Sequence, residues 1–100
     1  MWALYSSNTY TPVYISSYRG NVICKQWIYI FNNGCGASVV EFGGGYIRYG
    51  LHEYEVALIE NISMRSGELP KFNLVRDDNY PMGANTMDDV YNILDIIAGR

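Results

Sequence analysis

The stretch Val22–Phe42, VICKQWIYIF–NNG–CGASVVEF, decides how this chain folds. Val22 to Phe31 is rich in β-branched and aromatic residues, which pack well on a pleated surface. Asn32-Asn33-Gly34 follows as a strong turn signal, because Asn and Gly tolerate positive φ at little cost. Gly36 to Phe42 then reads as a return strand, so the segment predicts a β-hairpin.

Working outward, Val13 to Ser17 (VYISS) reads as an earlier strand, with Arg19-Gly20-Asn21 as the turn into the hairpin. Trp2 to Tyr5 reads as an edge strand or a loose arm. Downstream, Gly43-Gly44-Gly45 breaks the return strand and Tyr46 to Gly50 forms a connection. In the following strand His52, Tyr54, Val56 and Leu58 share one face, and Glu53, Glu55, Ala57 and Ile59 the other. Asn61 to Gly67 reads as a polar, hairpin-like loop, and Leu69 to Val75 as a final strand whose start Pro70 restricts.

The chain closes on a helix. Thr86 with Asp89 three residues later resembles a capping box, with Asp in place of the usual Glu or Gln. Asp88 and Asp89 suit the positive end of the helix. Met87, Val90, Tyr91, Leu94, Ile97 and Ala98 form an apolar stripe at helical spacing, and Gly99 ends it. Ile93 and Ile96 widen the stripe, which reads as deep burial, with a second subunit as the alternative. These elements predict one α+β domain over residues 1–100: a small antiparallel sheet of four to five strands, one C-terminal helix packed on a face, and residues 1–30 extending the sheet.

Composition narrows the function classes. Hydrophobic residues make up 49% and charged residues 17% of the 100 residues, which excludes intrinsic disorder. No stretch approaches the roughly 20 apolar residues of a membrane span. The net charge of −3 is unevenly placed: residues 1–50 carry three basic residues against one acid, residues 51–100 four against nine. The basic residues are dispersed rather than clustered, which argues against direct nucleic-acid binding. Two cysteines, Cys24 and Cys35, are too few for a disulfide framework, and the N-terminus lacks the pattern of a secretory signal. Reduced thiols in a cytosolic compartment are expected.

Catalytic equipment is sparse. His52 is the single histidine, so any imidazole chemistry must use it. Cys35 reads as a structural thiol, since nothing local lowers its pKa. No metal-ligand spacing is present, because strand alternation sends Glu53 and Glu55 away from His52. Gly43-Gly44-Gly45 lacks the Gly-Lys-Ser/Thr of a phosphate loop. No enzyme activity, cofactor or metal is expected.

Binding residues are better represented. Tyr46, Arg48 and Tyr49 join stacking surfaces to a guanidinium fork, which suits a nucleotide or a protein interface. Ten tyrosines, seven of them in the first 50 residues, offer rigid amphipathic contact area. Asp77, Asp78 and Asn79 form an acidic turn before Tyr80-Pro81. It reads as a solvated loop or as a charged contact with a basic partner.

The order NNGCGASVVEF, YIRYG, HEYEVALIE and TMDDVYNILDIIA resembles a group of small phage-encoded accessory proteins of unassigned function. The similarity spans Phe31 to Ala98. It is carried by Asn33, Gly34, Gly36, Ser38, Val39, Tyr49, Gly50, Tyr54, Glu55, Val56, Ala57, Thr86, Asp89 and Val90. Cys35 departs from the aromatic of that pattern, FNLVRDDNYPMG replaces its later segment, and the first 30 residues stand outside it. The resemblance implies a phage accessory protein in the host cytoplasm and transfers no active-site residue. The expected function is stoichiometric inhibition of a bacterial anti-phage defence protein or ribonucleoprotein, in the manner of anti-CRISPR proteins. The contact residues would be Tyr46, Arg48, Tyr49, His52, Asp77, Asp78 and Asn79. A sponge for a nucleotide immune signal, built as a homo-oligomer, is the alternative, followed by a structural role in phage assembly.

Overall fold

The computed structural model describes residues 10–17, 23–43, 52–65 and 68–100. It shows an α+β fold. The elements are β1 (Tyr14–Ser17), β2 (Ile23–Ile30), β3 (Cys35–Phe42), β4 (Tyr54–Ser63), β5 (Lys71–Leu74), β6 (Met82–Ala84) and α1 (Met87–Ala98). The sheet is antiparallel, in the order β1-β2-β3-β4-β5, with β6 also paired to β4. The edge strand or arm expected at Trp2 to Tyr5, the turn at Arg19 to Asn21, and the glycine break and connection from Gly44 to Gly50 lie outside the described residues.

The predicted hairpin forms the centre. Gly34 takes φ +86°, the left-handed conformation that the Asn-Gly pair permits. Asn33 works in two directions from this turn. Its carbonyl oxygen accepts the Cys35 N–H at 3.0 Å, and its amide donates to the Ile97 carbonyl at 2.9 Å. A turn between two strands thus caps the end of the helix, where carbonyls lack intrahelical partners.

The helix begins as expected. Thr86 accepts the Asp89 N–H on its hydroxyl at 3.1 Å, and Asp88 and Asp89 occupy the first turn. Val90, Ile93, Leu94 and Ile97 are buried against Tyr29, Phe31, Ala37, Val39, Val56, Leu58 and Ala84. Burying side chains of this size contributes about 1.5–3 kcal/mol each. The two residues that widen the stripe part company: Ile93 is buried and Ile96 is 59% exposed.

Three departures have physical causes. β4 runs on to Ser63, through residues expected in a loop, because Asn61 adopts φ 53° and introduces a bulge. The bulge returns Ile62 to the face of Ile59, where it packs over Gly36. β6 is a sixth strand with no alternating signature, formed where Met82 and Ala84 bring apolar side chains onto Val56 and Tyr54. In β1, the sheet face turned toward the helix leaves Val13 and Ile15 exposed, while Tyr14 and Ser16 are half-buried. The helix packs on β3, β4 and β6 and does not extend over β1.

The opposite face is enclosed at its centre, around Ile28 and Ile59, while Ile30 and Leu74 on it remain exposed. Ile28 and Ile59 are at most 1% exposed although no helix covers them. Tyr14, Gln26 and Ile28 line one cavity of about 190 Å3 together with Leu69, Pro70 and Phe72 from the other side of the sheet. Strands three positions apart share a cavity only if the sheet curls, so this face is concave. Ser38, buried there, accepts a hydrogen bond from the Gln26 amide at 2.9 Å.

Candidate functional site

The sequence-selected residues fall into three groups. Tyr46, Arg48 and Tyr49 lie outside the described residues. His52 lies two residues before β4, exposed, with its Nδ1 3.1 Å from the Asn85 side-chain oxygen. Strand alternation places it with Tyr54, Val56 and Leu58, but β4 begins only at Tyr54 and a bend at Glu53 intervenes. The His52 ring instead covers the Cα of Gly83. Gly83 pairs with Glu55, so the ring belongs to the face that the sequence assigns to the carboxylates. Cys35 is remote from it: Cys35 pairs with Glu60, six residues along β4 from Tyr54, which is about 20 Å of strand. The two cannot act as a thiol–imidazole pair. Among the described residues no three His, Cys, Asp or Glu side chains converge on a metal position.

Asp77, Asp78 and Asn79 do come together. They form a tight turn between β5 and β6, closed by the Tyr80 N–H donating to the Asp77 carbonyl at 3.0 Å. One carboxylate oxygen of Asp77 accepts the Asn79 N–H at 2.9 Å, the local hydrogen bond that makes Asp a turn former. The other lies 3.8 Å from the Arg100 guanidinium. The Arg100 guanidinium also lies close enough to the Tyr80 hydroxyl to act on it electrostatically. Burial is the main influence on that phenol and pushes its pKa up; Arg100 opposes the shift and Asp77 adds to it. Asp77 is therefore occupied inside the molecule, while Asp78 and Asn79 are exposed on a turn that Asp77 holds in shape.

Two clefts flank this end of the molecule. One, of about 490 Å3, opens where β5 and β6 separate along β4, with Leu58, Val75, Tyr80 and Pro81 as walls and Glu55 and Arg76 as charged groups. The other, of about 310 Å3, lies between the Tyr10–Thr11 segment and the end of α1, bordered by Tyr29, Phe31, Asn32 and Ala98. Tyr10 donates its hydroxyl to Asp95 of the helix at 2.8 Å and stands edge-on to Phe31, centroids 5.2 Å apart. Burial, and next the Asp95 carboxylate, push the Tyr10 phenol up to about 12, so it remains a donor throughout the neutral range. Burial likewise pushes Tyr29 up to about 12.

Tyr10, Asp95 and Arg100 escape sequence reasoning because their partners are remote. Tyr10 and Asp95 are 85 positions apart, and no local spacing rule joins them. The tyrosine excess was the available signal, but composition does not say which tyrosine reaches the helix. No family model, curated protein or solved structure matches this chain. No described helix is long and apolar enough to cross a membrane.

Proposed function

We propose that this protein is a non-catalytic binding protein that blocks a component of bacterial anti-phage defence by stoichiometric protein–protein contact. The phage setting rests on the sequence resemblance; the mode of action rests on the Asp77–Tyr80 turn. A charged contact contributes most when it needs no ordering on binding. Here Asp77 and Arg100 hold the turn, and Asp78 and Asn79 stand clear of it. Such a turn, in the half of the chain that carries nine of the ten acids, fits a basic surface on its partner.

The test is charge reversal at the exposed position. Asp78→Lys should abolish inhibition of the defence complex while leaving the melting temperature within error. Retained inhibition by a folded Asp78→Lys variant sinks the acidic-turn reading. Native mass spectrometry of the protein recovered from bacterial lysate should show a bound protein or ribonucleoprotein. A nucleotide-sized mass released on denaturation, with thermal stabilisation lost in Arg48→Ala, would favour the sponge instead.

A further inference from the structure

We infer that the Asn33-Gly34 turn is a deamidation site guarded by the end of α1, and that its reaction loosens that end irreversibly. The inference stands apart from the binding reading above.

Asparagine deamidates when the backbone nitrogen of the next residue attacks its side-chain amide. Here the Gly34 nitrogen bonds to Asn33 Cγ and closes a cyclic imide. The Cγ–Nδ2 bond breaks, and Nδ2 leaves as ammonia with the Gly34 proton. One water then opens the ring to aspartate or isoaspartate, and no other reagent is consumed. Glycine obstructs this attack least of all residues, and Asn33-Gly34 is the one Asn-Gly pair in the sequence. Both residues are exposed, and a Cβ on Gly34 would meet nothing within 4 Å, so water reaches the turn.

The fold restrains every group that must move. The leaving group, Nδ2, donates to the Ile97 carbonyl at 2.9 Å and lies 3.3 Å and 3.4 Å from the backbone oxygens of Ala98 and Arg100. Oδ1 accepts the Cys35 N–H at 3.0 Å, which fixes the plane of the carboxamide. The attacking nitrogen donates its own proton to the Phe31 carbonyl at 3.3 Å. Ring closure therefore requires the carboxamide to leave the helix end, and helix ends open more readily than the core beside them.

The product cannot restore the contact. A carboxylate at position 33 has no N–H to donate and faces three backbone oxygens at the negative end of the helix. The last turn of α1 holds no basic residue, and the guanidinium of Arg100 is turned to Asp77 at 3.8 Å. The Arg100 backbone N–H donates to the same Ile97 carbonyl at 3.2 Å, so fraying of this end also draws Arg100 away from the acidic turn.

The experiment incubates the full chain at mildly alkaline pH, folded and unfolded in urea, and follows the conversion of each asparagine to acid by peptide mass spectrometry. In urea Asn33 should convert first among the asparagines, and in the folded chain at least tenfold more slowly. Absence of conversion at Asn33 in urea would overturn the site, and equal rates would overturn the guard. Two variants locate the guard. Ala98→Gly weakens the last turn of α1, and Thr86→Ala removes the cap at its other end, with comparable cost to the helix. Ala98→Gly should speed conversion at least threefold more than Thr86→Ala; equal acceleration overturns the assignment to the helix end. Asn33→Asp, which carries the product's charge, should melt below Asn33→Ala and exchange its Gly99 and Arg100 amides faster. Melting at or above Asn33→Ala overturns the loosening. If Asn33→Asp fails to fold, the aged chain, separated from its parent by the added negative charge, takes its place. None of these readouts involves a partner, so retained inhibition by Asp78→Lys would sink the acidic turn and leave this inference standing.

Discussion

Replacing Asp77 and replacing Asp78 should have opposite consequences, although the two are adjacent and chemically identical. Asp77 gives one carboxylate oxygen to the Asn79 N–H at 2.9 Å and the other to Arg100 at 3.8 Å. Losing a hydrogen bond of the first kind costs about 1 kcal/mol. The ion pair joins side chains 23% and 42% exposed, at a separation near the limit of contact, and contributes less than about 1 kcal/mol. Asp77→Ala therefore loses about 1–2 kcal/mol. For a domain of this size that lowers Tm by roughly 5–15 °C. Asp78 is exposed and makes neither contact among the described residues, so Asp78→Ala should melt with the parent. Thermal unfolding followed by circular dichroism, with both variants at one protein concentration, makes the comparison. In a binding assay the order reverses: Asp78→Ala weakens partner binding at full stability, and Asp77→Ala weakens it in proportion to the loosened turn. Equal melting temperatures for the two variants would refute the assignment of Asp77 to the fold.

Two glycines should respond just as differently. A Cβ at Gly36 would land on the Tyr29 carbonyl oxygen and the Ile62 side chain, and 3.3 Å from Ile59, so Gly36→Ala should cost at least about 3 kcal/mol. At Gly83 the obstacle is the exposed His52 ring, which can swing aside, so Gly83→Ala should shift Tm by only a few degrees; equal losses for both would contradict this packing. Asn33→Ala removes the bonds to Cys35 and Ile97 and should cost about 1–2 kcal/mol, with faster amide exchange at Gly99 and Arg100 as its local signature. Stability should also fall above pH 10. Tyr29 keeps its proton up to about 12 in the folded state, whereas an unfolded tyrosine releases it near 10, so across that interval the folded chain binds more protons and loses stability as pH rises. At 4% exposure its share of the loss is at most about 3 kcal/mol, and Tyr29→Phe should make the fall in denaturation midpoints from pH 9 to 11 shallower, the other raised phenols keeping the remainder.

The elements were legible wherever a local pattern carried them. Val22–Phe42 holds a turn triplet between two β-rich runs, and Thr86–Gly99 holds a cap, acidic first turn, apolar stripe and stop. Both formed within a residue or so of the expected bounds. What escaped was set by neighbours remote in sequence. Met82–Ala84 is too short and too poor in β-formers to read as a strand, and pairs because β4 offers an edge there. Ser63 stays in β4 because Asn61 adopts a left-handed conformation, which the same residue equally adopts in a loop. Val13 and Ile15 look like inward positions until the helix is seen to stop short of β1. The acidic turn was legible as a turn, but Arg100, which decides that Asp77 faces inward, lies 23 residues further on.

The tyrosine excess shows how far composition can carry a functional argument. Read as a bulk property it marks a binding protein, since tyrosine suits interfaces. Residue by residue, much of it belongs to the fold. Tyr29 is buried beneath the helix, Tyr10 ties the N-terminal segment to Asp95, Tyr54 packs beside Trp27, and Tyr80 packs against the core. Burial is the first cause of the raised phenol pKa in all four, the mark of rings enlisted in packing. A small domain with three phenylalanines and two tryptophans must fill its interior with some other large ring, and tyrosine serves provided each hydroxyl finds a partner or water. The groups left for a partner are then those whose polar ends the fold leaves unused. Asp78 and Asn79 qualify at the turn.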